Sequence, residues 1–414
     1  MSNASQDFTL AYYSGNRKTG AIAVISRENG ELSVKQLGVE AETDVAKALK
    51  PIFVGLTENH QVVTLDPRSK EIRLSDAFPT DAFAAHIYAD PNSSRDWLMN
   101  DGDKESGNDT LNCGDKGSSV TVIANSNSSE AEFIATICVG RGHHQANFSY
   151  PSPDAPDVPN QTYISNLIDG SLSVIGNEPE SADYLKVIAS INLGEADKEK
   201  SGSAEMPNNA FPHGLAYSPV SGKVYNLNNG YGNVAVINPA THEIEERFAF
   251  KGHSNLFASP CGRYIIGRGA DRKSDAKHVI AKLSVYDVVS KEITDSVELQ
   301  DIYISKYFFN ADGGKLYLTT SASGNDEQTA NAKANALLSF DLSALPKIKL
   351  ANERDLGAPA GTLDFLQQDG KTTHVFSSNA GNGEIVILDG ETDEVIERVK
   401  AGESVPHSRL WLLP

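Results

Sequence analysis

The chain has 414 residues, 39% of them hydrophobic and 22% charged, with a formal net charge of −19. That acidity excludes a nucleic acid as partner, because phosphate would be repelled, while leaving a cation or metal ion electrostatically permitted. No apolar run approaches the roughly 18 residues of a membrane span, and three cysteines without a CxxC spacing exclude a zinc knuckle or thioredoxin-type site.

Read in chain order, the opening MSNASQDFTL has neither the basic region nor the apolar core of a leader,. The compartment is left open: periplasmic or extracellular is expected, cytoplasmic is the alternative. GAIAVISRENGELSVKQLGV (20–39) then holds two strand-like runs around an Asn-Gly turn,. SSVTVIANSNSSEAEFIATICVG (118–140), GSLSVIGN with YLKVIASINLG (170–194) and KLSVYDVVSKEITDSVEL (282–299) repeat the pattern. The fullest copy runs from Phe211 to Gly252. Its four runs HGLAYSP, KVYNLNN, NVAVINP and EIEERFAF are rich in β-branched and aromatic residues and bounded by Gly, Asn or Pro,. Four such strands in about 42 residues make one propeller blade. GEIVILDGETDEVIERVK (383–400) nearly copies its second half.

The expected fold is therefore all-β: one domain over 1–414, an eight-bladed β-propeller of four-stranded blades, with seven blades as the alternative. The units fall at about 8–40, 41–82, 83–141, 142–210, 211–251, 252–302, 303–359 and 360–402. The first has only three strands, and SVPHSRLWLLP (404–414) supplies its missing innermost one. Insertions at 100–118, 151–159, 195–210 and 321–335 read as exposed loops, the last with a helical stretch at 324–335. Pro212-His213-Gly214, Ser218-Pro219 and Tyr225-Asn226-Leu227-Asn228 resemble the YVTN family of bacterial propeller repeats, a resemblance that implies fold far more than activity,.

Aligning the unit starts raises the question of chemistry. His144, His213, His253 and His407 each precede an aromatic residue by four positions (Phe148, Tyr217, Phe257, Trp411), and His86 starts the third unit. In a propeller these positions converge on the central channel. Converging imidazoles suit copper or zinc. The expected metal set is His86, His143, His144, His213, His253 and His407. A recurrent histidine can also serve only to hydrogen-bond the neighbouring blade; His143 is the one that a repeat does not explain. The doubled His143-His144 is similar in type to the histidine pairs of nitrous oxide reductase and of propeller zinc chaperones. The chain carries neither the cupredoxin domain of the first nor the His-rich tract of the second.

Arg141 and Arg409 are candidates for an anionic ligand, and Lys306 and Asp364 for acid and base beside a metal-bound water. His60, His242, His278 and His374 are expected at the surface. Cys113 and Cys138 can form a disulfide, leaving Cys261 buried. No GxSxG, P-loop or dinucleotide fingerprint occurs. The functional expectation is a metal-binding propeller, a carrier or a metal-dependent oxidoreductase, with catalysis left open. The alternative is a non-catalytic scaffold that binds a protein or small ligand on its loop face. A monomer is expected.

Overall fold

The computed structural model describes residues 6–13, 22–37, 54–56, 61–65, 72–77, 80, 86–100, 109–114, 117–125, 132–198, 206–379, 381–402 and 409–413. Among these are seven four-stranded antiparallel sheets and one three-stranded sheet. The four-stranded sheets occupy residues 87–138, 143–192, 212–249, 255–300, 304–355 and 360–400, with the seventh formed by both chain ends. Each falls inside one expected unit. The three-stranded sheet, over 54–77, lies where the second unit was expected. At the N-terminus Phe8–Tyr13, Ile22–Glu28 and Glu31–Leu37 form three strands, and Arg409–Leu413 adds beside the first, with Ala11 opposite Trp411. This arrangement matches a β-propeller, of seven or eight blades.

Local sequence accounts for the hairpins. In the 212–249 sheet, Val224, Val234 and Val236 stand in strands whose turns are closed by Gly222 and Gly232, both at positive φ (65° and 66°),. At Gly222 a Cβ would lie 2.7 Å from Ala155 of the preceding sheet, so the turn is also a close approach. The expected helical excursion is present as Asp326–Asn331, capped by Asn325 and Gln328 in a reciprocal capping box,.

The core lies between sheets rather than inside them. Ala216, Tyr225, Leu227 and Val234, with Phe250, pack on Leu256, Ile265 and Tyr286 of the next sheet. The same sandwich recurs between successive sheets from the third to the eighth. Phe376, Ile385 and Ile387 then pack on Phe8, Leu10 and Tyr12, so the last unit buries its face against the first. Phe8 and Phe376 meet at a centroid distance of 4.8 Å,. Phe376→Ala should cost about 3–5 kcal/mol of stability, read as a lower urea midpoint at unchanged m-value; a loss below about 1 kcal/mol would mean that this junction carries little of the fold.

Candidate functional site

At several junctions the innermost strands of neighbouring sheets lie side by side. Gln145 Nε2 donates to Leu215 O and Leu215 N donates back to Gln145 Oε1, both at 3.2 Å. Asn147 Nδ2 also donates to Leu215 O, at 3.2 Å. The imidazole Nδ1 of His213 meets Ser254 O at 2.5 Å. Arg268 Nη1 donates to Ile304 O at 2.8 Å. Asp364 Oδ2 accepts from Leu412 N at 2.6 Å, and Thr362 Oγ1 from Leu410 N at 2.9 Å. These strands therefore gather around a common axis.

Along that axis lies a cavity of about 350 Å³ whose walls come from four sheets: Tyr88 and Ala89, Gln145 to Phe148 with Tyr150, Tyr217, and Tyr307. The volume is within the range of small-molecule sites. Tyr150 and Tyr217 pack edge to face at 4.9 Å, and the Tyr217 hydroxyl donates to Tyr150 O at 2.5 Å. Tyr307 stacks on Phe257 at 3.8 Å. Burial raises the phenol pKa of Tyr150, Tyr307 and Tyr217, the last to about 12, so all three stay neutral hydroxyls at any physiological pH,. The wall is aromatic with neutral polar tips, suited to the face and edge of a ring compound.

The histidines divide. His213 and His86 stand at the start of their inner strands, as expected, both half-buried. Burial lowers the pKa of His213, which is held neutral while bonded to the next strand. The expectation for His253 needs correction. It is 5% exposed, stacks on Phe250 at 4.0 Å, and has Nδ1 on Phe250 O (3.2 Å) and Nε2 on Ser284 Oγ (2.9 Å). Both ring nitrogens are taken by the blade body. The cause is a one-position shift. Asn147 and Asn255 each accept a hydrogen bond from the following amide, which makes Leu256, not Phe257, the counterpart of Phe148. Leu256 packs toward the preceding sheet and Phe257 toward the following one. A shift by one residue turns every side chain to the other face. The side chains of His143 and His144 and all of His407 lie outside the described residues, as do His60 and the Arg409 side chain. Among the described residues, no three or more His, Cys, Asp and Glu side chains are grouped to hold a metal ion.

The backbone of GRGHH is nevertheless built. Gly142 has φ 66°, and a Cβ there would strike Ile168 at 2.6 Å,. Arg141 is tied to Asp169, its N to Oδ2 at 2.8 Å and its Nε to Oδ1 at 2.7 Å, so it braces this turn. Asp364 likewise braces the seam to the C-terminal strand, and Lys306 sits on the Ile304–Phe309 inner strand. Cys113 and Cys138 form a disulfide, but Cys261 is exposed rather than buried. His374 is fully buried rather than at the surface; His242 and His278 bond Gln161 and Asp301. In the 100–118 insertion, Leu111 and Asn112 are buried beside the disulfide rather than exposed. Sequence reasoning missed Tyr88, Tyr150 and Tyr307 as cavity residues and Arg268 as a bond between neighbouring sheets. The aromatic content of the inner strands was the available signal for the tyrosines; Arg268, on a second strand, had none.

No protein-family model matches the chain, and no curated protein matches it in sequence. Among solved structures it is similar to the dihydro-heme d1 dehydrogenase NirN in complex with DHE, with 14% identity and a TM-score of 0.56 over 88% of this chain. It spans 65% of that longer chain. It is similar also to a protein from Lactobacillus plantarum (14% identity, TM-score 0.55, 88% of this chain and 100% of that one). Hydrazine synthase from Kuenenia stuttgartiensis gives 14% identity and a TM-score of 0.50 over 79% of this chain and 94% of that one. The fold is a β-propeller. At such identities the likeness extends to the fold alone.

Two outcomes test the seam and the packed imidazole. Asp364→Ala leaves Leu412 N without its acceptor and should cost about 1–3 kcal/mol, measured by urea unfolding. Burial pushes the pKa of His253 from the ordinary 6.5 down to about 4. A folded pKa below the unfolded one means that the neutral ring stabilises the fold. The contribution is whole above pH 6.5 and is lost as pH falls towards about 4, by on the order of 3 kcal/mol,. The stability gap between His253→Gln and the parent should therefore narrow through that window; a gap independent of pH would contradict the assignment.

Proposed function

We propose that the protein is a single propeller, of eight blades with the 54–77 sheet counted, that binds a small ring-bearing molecule in its tyrosine-lined channel. The observation that carries this is the 350 Å³ cavity built from Tyr88, Tyr150, Tyr217 and Tyr307, whose rings come from four separate sheets. Gln145 and Asn147 in the same wall are engaged in the seam and the Tyr217 hydroxyl is bonded to Tyr150 O, so this wall meets a ligand chiefly through its aromatic faces. This reading develops the small-ligand alternative and moves it from the loop face to the axis. A copper or zinc ion at the mouth would have to draw ligands from His143, His144 or His407 as well as His86 or His213.

The Cys113–Cys138 disulfide supports an oxidising compartment, periplasmic or extracellular,. No helix among the described residues is long and apolar enough to cross a membrane.

The test is to fill the cavity. Ala89 lines it and is exposed, so Ala89→Trp should enter without disturbing the core. Compounds that raise the melting temperature of the parent in a thermal-shift screen should lose at least about tenfold in affinity toward Ala89→Trp. Unchanged affinities would place their site elsewhere and overturn the channel reading.

A further inference from the structure

Arg268 is a buried cation with which no carboxylate among the described residues is paired. It stands on the second strand of its sheet (Tyr264–Asp271) and crosses to the next sheet, where Nη1 donates to Ile304 O at 2.8 Å. Its Nε is buried and makes no hydrogen bond. No carboxylate among the described residues pairs with it; the groups that interact with it electrostatically are the phenols of Tyr303 and Tyr307. The other buried or half-buried arginines are different. Arg27 pairs with Glu397, Arg95 with Asp90, Arg141 with Asp169 and Arg247 with Glu195. A guanidinium taken out of water without a counter-ion is strongly unfavourable, and its remaining donors keep a geometry that matches an oxyanion in two-point fashion.

Position adds to this. Ile304 lies three residues before Tyr307 on the same inner strand, and Tyr307 is itself a wall of the cavity. His213, whose ring meets Ser254 O, feels the charge of Arg268, and Ser254 N donates to Arg268 O at 2.8 Å. Arg268 therefore lies beside the start of the Ile304–Phe309 strand, next to Tyr307, which stands between it and the cavity lining.

We infer that the channel ligand carries an oxyanion, a carboxylate or a phosphate, that is received by Arg268 while its ring lies against Tyr217 and Tyr307. The inference rests on the channel reading and adds the ligand's charge. The Tyr307 phenol, kept protonated by burial, is a second donor to the same oxyanion. The net charge of −19 repels anions at long range, so recognition comes from this one local pairing and weakens only modestly with added salt.

The experiment titrates three probes of one shape into the full chain by calorimetry: benzoate, phenyl phosphate and benzamide. Benzoate or phenyl phosphate should bind at least about tenfold tighter than benzamide, since a buried charge pair is at stake. Whichever of the two binds tighter assigns the anion. Arg268→Met should erase the preference, and Arg268→Lys, which keeps the charge but not the fork, should retain part of it. Circular dichroism checks that both variants are folded. If benzamide binds as well as benzoate, or if the preference survives in Arg268→Met, the oxyanion inference fails while the channel reading stands. If none of the three binds, the oxyanion inference fails, and the Ala89→Trp comparison decides the channel reading separately.

Discussion

The structure depends on a seam in which side chains, rather than a β-ladder, bond the inner edges of neighbouring sheets. No β-ladder joins one of the described sheets to the next. Gln145 and Asn147 therefore reach Leu215, His213 reaches Ser254, Arg268 reaches Ile304, and Thr362 and Asp364 reach Leu410 and Leu412. Each bond is buried or half-buried, where leaving a donor or acceptor unmatched costs about 1–3 kcal/mol. The seam thus fixes the spacing around the axis, and the axis cavity is what that spacing leaves.

The outer parts of the blades use a second recurring device. The turn between third and fourth strands places His242, Lys291 and Asp393 at positive φ. His242 meets Gln161 and Lys291 meets Glu246, each on the preceding sheet. Asp393, 1% exposed, accepts from Tyr317 at 2.6 Å, Ser339 at 2.6 Å and Asn352 at 2.8 Å, all on the preceding sheet. One repeat position thus stitches three of the sheets to their predecessors with whatever polar group it carries, while apolar sandwiches fill the space between sheets. Polar residues at equivalent positions here are architecture. His213 and Asp364 take part in the same inter-sheet bonding.

Arg268 departs from this rule. It makes one bond of the seam and has charge and donors left over. Arg27, Arg95, Arg141 and Arg247 each have a carboxylate; at Arg268, next to a wall residue of the tyrosine-lined cavity, architecture stops explaining the residue.

The sequence by itself determined the strands, their hairpins, the unit boundaries and the pairing of the last strand with the first. These are local features: alternating β-branched runs, glycine turns and a repeat length that a blade requires. It also located the disulfide pair and the helical excursion. It could not determine which face each inner-strand residue takes. His253 and His213 look equivalent on paper, yet a one-residue shift sends His253 into the blade body against Ser284. Nor could it show that Tyr88, Tyr150, Tyr217 and Tyr307, spread over more than half the chain, share one cavity. Convergence on an axis is set by how whole blades pack, and packing is decided by distant residues together. Only the tertiary structure therefore moved attention from the histidines to the tyrosines and Arg268.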